Sequence, residues 1–174
     1  MPRSFDLSAD YPGGVEDIHR AFQEEEYWRA RLADIPVDEA TLESIRVGGR
    51  SGDGPSIEVA TLQVVRSHNL PAMVTQLHRG DLCIRREETW GPVTDGAATA
   101  SIAGQIVGAP VSVWGTAELS RATPSGGARL EFRITVQVRA PLIGGKVEKI
   151  IGNRLAELVT AEQRFTSEWI AANS

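Results

Sequence analysis

The hydrophobic pattern of the chain changes its period near residue 140. Before that point most apolar positions alternate with polar ones, which is the two-residue period of half-buried β-strands. From Gly144 to Ala172 the apolar residues recur every three or four positions, the spacing of one helical face. The pattern predicts a series of strands closed by one amphipathic helix of roughly 40 Å. Its apolar face comprises Val147, Ile151, Leu155, Leu158, Phe165 and Trp169.

Two short helices are predicted directly after the first strand. Residues 4–11 alternate as a strand, and the turn-forming residues 12–14 end it. Glu16 and Asp17 then fall in a first helical turn, where the helix dipole favours acids. The first helix carries its apolar residues at helical spacing, and the second ends before Pro36. The positions concerned are Val15, Ile18, Ala21 and Phe22 in the first helix, and Tyr27, Trp28, Arg31 and Leu32 in the second.

Residues 39–140 are predicted to form consecutive strands, interrupted by a short helix between Asn69 and Gly80. The glycine-rich stretch Gly48–Gly54 is followed by a strand, which favours a hairpin loop over a phosphate-binding loop. Alternating strands joined by short turns indicate an antiparallel sheet with one wetted face. One helix covers only part of such a sheet, so the sheet must curve around it. We therefore expect a single α+β domain over residues 1–174, a curved antiparallel sheet of about seven strands wrapped around the terminal helix.

This order of elements resembles the START-like superfamily, also called SRPBCC or helix-grip proteins. The Ser4–Tyr11 strand, followed by Pro12-Gly13-Gly14-Val15-Glu16-Asp17 and Glu26-Tyr27-Trp28, is similar to the entry of bacterial members. Leu130–Val138, followed by Pro141-Leu142-Ile143-Gly144-Gly145-Lys146-Val147-Glu148, is similar to their exit into the closing helix. The chain is similar in particular to an actinobacterial group of unknown function. The resemblance implies a cavity for a hydrophobic ligand, and some members of the superfamily act as cyclases, aromatases or hydroxylase subunits.

Strand parity and helical spacing select the residues that face such a cavity. The candidate apolar lining consists of Leu82, Ile84, Trp90, Ile102, Phe132, Ile134, Ile151, Leu158, Phe165 and Trp169. Arg86 and Glu88 share the parity of Leu82, Ile84 and Trp90, so they either point inward or form a surface pair. An inward guanidinium would suit a carboxylate or phenolate. Because aromatic residues are few (6%), aliphatic side chains would form most of the walls, which favours an aliphatic or mixed guest.

Glu162 interrupts the apolar face of the terminal helix and is the third candidate polar anchor. If it faces an apolar cavity without a partner, burial will raise its pKa and prepare it for proton exchange. If it lies near the mouth of the cavity, it is simply hydrated.

Composition excludes several other classes of function. The formal net charge of -5 argues against a nucleic-acid partner. Cys83 is the only cysteine, which fits a reducing compartment. The sequence predicts neither a signal peptide nor a membrane-spanning segment. We therefore expect a cytoplasmic protein without integral membrane contact. His19, His68 and His78 are not at ligand spacing, so no metal or other cofactor is expected. The oligomeric state is left open.

Three hypotheses for the function follow. The first is binding of a hydrophobic small molecule, such as a lipid, a fatty acid or a polyketide-like compound, between sheet and helix. The second is a polyketide cyclase or aromatase that uses Glu162 or Glu88 as a proton carrier. The third is a protein-interaction module without a ligand, which an interior void well below about 300 Å³ would favour.

Overall fold

The computed structural model describes residues 2–35, 37–49, 54–77, 80–124 and 126–173. The first half of the chain contains β1 (Arg3–Tyr11), α1 (Val15–Phe22), α2 (Glu25–Asp34), β2 (Glu39–Gly48), β3 (Ser56–Val65), a 3₁₀ turn (Ser67–Asn69) and α3 (Ala72–Leu77). The second half contains β4 (Leu82–Trp90), β5 (Ala98–Ile106), β6 (Val111–Thr123), β7 (Gly126–Val138) and α4 (Gly144–Asn173). His78 and the tip of the predicted glycine-rich loop, residues 50–53, lie outside the described residues.

The strands described here form one antiparallel sheet in the order β1-β7-β6-β5-β4-β3-β2. Each strand from β2 to β7 pairs with its sequence neighbour, although the 3₁₀ turn and α3 lie between β3 and β4. β1 pairs with the other edge of β7. Gly48 pairs with Ser56, which confirms the predicted hairpin between β2 and β3. The α+β class, the seven strands, the two helices after the first strand and the long closing helix are all confirmed.

The helices cover the inner face of the sheet unequally. α4 packs mainly against β1 and β7, α1 against β6 and β7, and α2 against β2. Gly152 allows the close approach of α4, because a Cβ at this position would overlap the ring of Phe5 in β1. α4 thus lies closest to β1 and β7, and we call the region between β4, β5 and the helix the hollow. Buried side chains such as Glu88, Trp90 and Ile102 fill most of this region.

The most buried face of α4 differs from the predicted one. The fully buried positions are Gly144, Val147, Glu148, Gly152, Glu162 and Thr166. Ile151, Leu158 and Phe165 are only half-buried, and Ile151 and Phe165 each precede a fully buried position. Small residues bring the helix close to β1 and polar residues meet partners in the interior, so Val147 is the only member of the predicted apolar face among these buried positions.

Candidate functional site

Four charged side chains from three elements meet in the hollow between the sheet and α4. Arg31 comes from α2, Arg86 and Glu88 from β4, and Glu162 from α4. Glu162 Oε2 lies 2.6 Å from Arg31 Nη2 and 2.8 Å from Arg86 Nη1, so one carboxylate is shared by two guanidinium groups. Arg86 Nε lies 3.2 Å from Glu88 Oε2, which completes the group. We call these four residues the charge cluster.

The strand period explains the two members on β4. Residues two apart on a strand point to the same face, so Arg86, Glu88 and Trp90 all point inward. The indole Nε1–H of Trp90 donates to Glu88 Oε1 at 3.3 Å, which holds that carboxylate against the strand. The inward orientation, one of the two alternatives left by the sequence, is therefore the observed one. Arg86 is also the most accessible member, with 22% of its side chain exposed.

The environment of Glu162 differs from both alternatives that the sequence offered. It is buried, not hydrated at a cavity mouth, and it is paired. Burial alone raises the pKa of the Glu162 carboxyl, but the positive charges of Arg31 and Arg86 outweigh burial and leave that pKa below its ordinary value. The expected upward shift is thus wrong, because the sequence gives no sign of the two arginines that reach this carboxylate.

Arg31 is the member of the cluster that sequence reasoning missed. Its Nη1 donates to the hydroxyl of Tyr27 at 3.2 Å, and the Tyr27 hydroxyl lies 2.6 Å from Thr166 Oγ1 on α4. Its guanidinium also lies 4.6 Å from the ring centre of Trp28. The sequence signal for Arg31 was weak. It lies near Tyr27, Trp28 and Leu32 on a short helix, but the sequence does not show whether another element packs over that helix and buries the arginine.

The space enclosed at the charge cluster is small. Its walls include Tyr11, Arg86, Glu88, Trp90, Phe132 and Glu162, so four predicted site residues besides Glu162 line the same space. Its volume is about 10 Å³, compared with roughly 10–15 Å³ for one water molecule and about 300 Å³ for a small ligand pocket. An open depression of about 850 Å³ lies on the outer face of the sheet, among exposed polar side chains such as Ser101 and Thr116.

The other predicted lining residues lie in three different places. Leu82, Ile102 and Ile134 are buried in the core on the inner face of the sheet. Ile84 on β4, and Ile151 and Leu158 on α4, are half-buried.

Phe165 and Trp169 pack away from the charge cluster. Both rings lie 5.8 Å from the ring of Tyr27, so they fasten α4 to α2.

Half-buried apolar residues continue from the charge cluster along the hollow. On the sheet they are Ile84, Ile106 and Val113, and on α4 they are Ile151 and Leu155. We call these five residues the apolar strip. Four of them, Ile106, Val113, Ile151 and Leu155, pack against the hydrophobic core, and all five keep part of their surface accessible to solvent.

Other candidate chemistry is limited in the part of the chain that the structure describes. His19 is buried and packs between elements, with Nε2 2.9 Å from the carbonyl oxygen of Gly91 and Nδ1 3.3 Å from Gln23. In the described ranges no three His, Cys, Asp or Glu side chains are grouped to hold a metal. Among the helices described, none has the length and apolar character to cross a membrane.

An antiparallel sheet closed by a carboxy-terminal helix, with two short helices after the first strand, defines a helix-grip protein. The chain belongs to the family described as "protein of unknown function (DUF2505)", whose model matches residues 6–170. It is 68% identical to an uncharacterized protein of Mycobacterium tuberculosis, Rv0481c, over 99% of each chain. The predicted resemblance to an actinobacterial family of unknown function is therefore confirmed.

Solved structures show the same fold at low sequence identity. The aromatase/cyclase ZhuI of Streptomyces sp. R1128 matches with a TM-score of 0.60 and 7% identity, over 98% of this chain and 94% of that one. The protein TTHA0849 of Thermus thermophilus matches with a TM-score of 0.57 and 16% identity, over 99% of each chain. At these identities the likeness concerns the fold alone.

Proposed function

We propose that the protein binds a small amphipathic molecule, with its apolar body along the apolar strip and its polar end at Arg86. The observation that supports this proposal most is the charge cluster itself, which lies between the inner face of the sheet and α4. Half-buried apolar residues beside it supply the surface that an apolar ligand would cover.

Stability alone is a poor explanation for the charge cluster. Buried ion pairs gain little over well-packed apolar residues, and replacing them by hydrophobic side chains is often neutral or stabilising by about 1–4 kcal/mol. We infer that the four side chains of the charge cluster serve a further purpose besides linking α2, α4 and the sheet. Recognition of a polar group is the purpose that their position, at the end of the apolar strip, favours.

The charges of the cluster indicate what kind of polar group fits. Two arginines and two glutamates sum to zero, and the nearby Tyr11 and Tyr27 are neutral because burial raises the pKa of both phenols. The guanidinium of Arg86 has five N–H groups, of which at most three are directed at Glu88 and Glu162. An uncharged acceptor such as a carbonyl oxygen can take a remaining N–H without adding net charge, whereas a carboxylate would leave one negative charge uncompensated.

The small enclosed volume is the observation that favours a second candidate, an interaction module with a filled core. About 10 Å³ at the cluster does not admit a ligand unless side chains move. The first proposal thus requires the half-buried side chains of the apolar strip to move apart.

The enzymatic hypothesis receives less support. Glu162 is held ionised by Arg31 and Arg86, which lower its pKa, so it is a poor proton donor near neutral pH.

Native mass spectrometry tests the first proposal against the second. The full chain is purified from an actinobacterial host, its mass is measured under native conditions, and bound molecules are extracted into organic solvent. We expect a retained small molecule in the wild type and its loss in Arg86→Met. The matched control is Arg129→Met, because Arg129 also pairs with a carboxylate, Asp10, but on the outer face. A wild-type mass without any adduct, even after incubation with medium-chain ketones and esters, would favour the filled module.

A further inference from the structure

The turn between β7 and α4 presents an unusually exposed apolar side chain. Leu142 is 99% exposed, and its φ of 71° lies in the left-handed region that leucine avoids. Strained backbone persists where the surrounding structure enforces it, often for a functional reason. The adjacent β5–β6 turn adds Val107, which is also exposed, and the two turns are joined by the Arg139 N–H donating to the Pro110 carbonyl oxygen at 2.9 Å.

Basic side chains surround this apolar point. Lys146 and Lys149, the only lysines in the sequence, lie in the first turns of α4, and the guanidinium of Arg3 lies beside Gly145. Arg139 follows β7 in the same connection, and its guanidinium donates to Ser112 Oγ at 3.4 Å. All four are exposed. In the described part of the chain, the ion pairs are made by other arginines, so these four charges are not neutralised locally.

The acid nearest to these lysines does not offset them at the surface. Glu148 lies between Lys146 and Lys149 in sequence, but it is buried and accepts the backbone N–H of Val138 at 2.9 Å. The amino end of α4 adds the positive end of a long helix dipole in the same place. A chain with a net charge of -5 therefore concentrates positive charge at one end.

We propose that this end of the molecule docks on the surface of a membrane that contains anionic lipids. The docking surface, which we call the basic tip, consists of Arg3, Val107, Leu142, Arg139, Lys146 and Lys149. Leu142 enters the boundary between headgroups and acyl chains, while the four basic side chains contact lipid phosphates. A weak apolar anchor combined with basic residues is the pair of signals that peripheral membrane attachment needs.

A lipid surface fits the basic tip better than a protein partner does. A stable protein interface needs about 800 Å² from each side with a desolvated apolar centre. The basic tip has two apolar side chains on two turns, surrounded by charges, which is too little for such a centre. The positive charge of the basic tip complements lipid phosphates without requiring a matching shape. We therefore infer that the basic tip binds a bilayer with anionic headgroups. The proposal does not depend on ligand binding in the hollow.

Vesicle sedimentation with the full-length protein tests this inference. The vesicles contain either phosphatidylcholine alone or an equal mixture of phosphatidylcholine and phosphatidylglycerol. We expect binding to the mixed vesicles only, with a loss of affinity at about 0.5 M salt, where the Debye length falls below about 5 Å. Since each basic residue near an anionic surface contributes about fivefold in affinity, K146Q/K149Q should weaken binding more than tenfold. Leu142→Ser should weaken it further.

Two matched variants control for nonspecific effects. Val47→Ser removes an exposed valine at the opposite end of the sheet, and Arg129→Gln removes an exposed arginine from the outer face. Both should bind the mixed vesicles as the wild type does. All replaced residues are exposed, and unchanged thermal unfolding of each variant verifies that the fold is kept. Equal sedimentation with both vesicle types, no sedimentation with either, or undiminished binding by K146Q/K149Q would overturn the proposal.

Discussion

Glu162 Oε2 of α4 lies 2.6 Å from Arg31 Nη2 of α2, and this ion pair joins the two helices from within the interior. Both side chains are less than one-tenth exposed. Because each charge has lost its water, each depends on the other for compensation. Arg86 approaches the same carboxylate oxygen from the sheet at 2.8 Å, so a single glutamate links three elements.

Replacing this glutamate should therefore be costly. Glu162→Gln keeps the shape of the side chain but leaves Arg31 without a carboxylate partner, and breaking a buried ion pair in this way destabilises a protein by about 3–5 kcal/mol. Urea unfolding followed by circular dichroism measures the loss. Glu157→Gln is the control on the same helix, because Glu157 pairs with Arg154 in an exposed position and its replacement should change little. A loss in Glu162→Gln no larger than that of the control would contradict the geometry of the charge cluster.

The same glutamate should make stability depend on pH in the acid range. Its folded pKa lies below the ordinary value of 4.5, so the unfolded chain takes up the proton first as pH falls. The stabilisation is complete above about pH 5 and is lost as pH falls through the lower folded pKa. The difference in free energy of unfolding between wild type and Glu162→Gln should thus shrink between about pH 5 and pH 3. Asp10, Asp38 and Asp81 also have lowered pKa values. They are present in both wild type and Glu162→Gln, so their contributions cancel in the difference between the two proteins. A difference that stays constant or grows on acidification would show that Glu162 is not paired.

The two tyrosines of the chain, Tyr11 and Tyr27, give a spectroscopic test of the interior. Both are buried, and burial raises the pKa of each phenol above its ordinary value of 10.0. The near-ultraviolet tyrosinate signal should therefore be absent at about pH 10–11 while the fold persists, and it should appear only with unfolding. The same protein in urea should titrate near pH 10. Ionisation of either tyrosine near pH 10 with an intact far-ultraviolet spectrum would place that ring at the surface.

Two glycines on the inner face of the sheet test how closely its strands approach. A Cβ on Gly115 of β6 would overlap the carbonyl oxygen of Arg133 in β7, which is backbone and cannot swing away. A Cβ on Gly104 of β5 would make only ordinary contacts, 3.5 Å from Val113 Cβ and 3.7 Å from the carbonyl oxygen of Arg85. Gly115→Ala should lower the free energy of unfolding by about 1–3 kcal/mol or more. Gly104→Ala should be neutral or slightly stabilising, because glycine is a poor strand residue. Similar effects of the two substitutions on chemical unfolding would argue against the observed approach of β6 and β7.

The fold was accessible from the sequence because its signals are local. Alternation identified the strands, and parity placed Arg86, Glu88 and Trp90 on one face. The three-to-four spacing identified the terminal helix and singled out Glu162. These inferences need no knowledge of how distant elements pack.

The partners of Glu162 were not accessible in this way. Arg31 reaches it only because α2 lies against α4, a contact set by the packing of Tyr27 with Phe165 and Trp169. The predicted buried face of α4 is rotated relative to the observed one. Gly152 allows the helix to approach Phe5 closely, and the hydrophobic pattern does not predict such a contact at a glycine. The sign of the pKa shift of Glu162 and the small volume beside it both follow from these long-range contacts.

The central claim, that a small amphipathic molecule enters the hollow at the charge cluster, is tested most directly by the indole N–H signals of the four tryptophans. In a ¹H–¹⁵N spectrum titrated with 2-undecanone, we predict that the Nε1–H resonance of Trp90, which is bonded to Glu88, shifts in a saturable way. The resonance of Trp114, which is 42% exposed on the outer face, should stay in place. A saturable shift confined to Trp114, or no shift of Trp90 at ligand saturation, would contradict the claim.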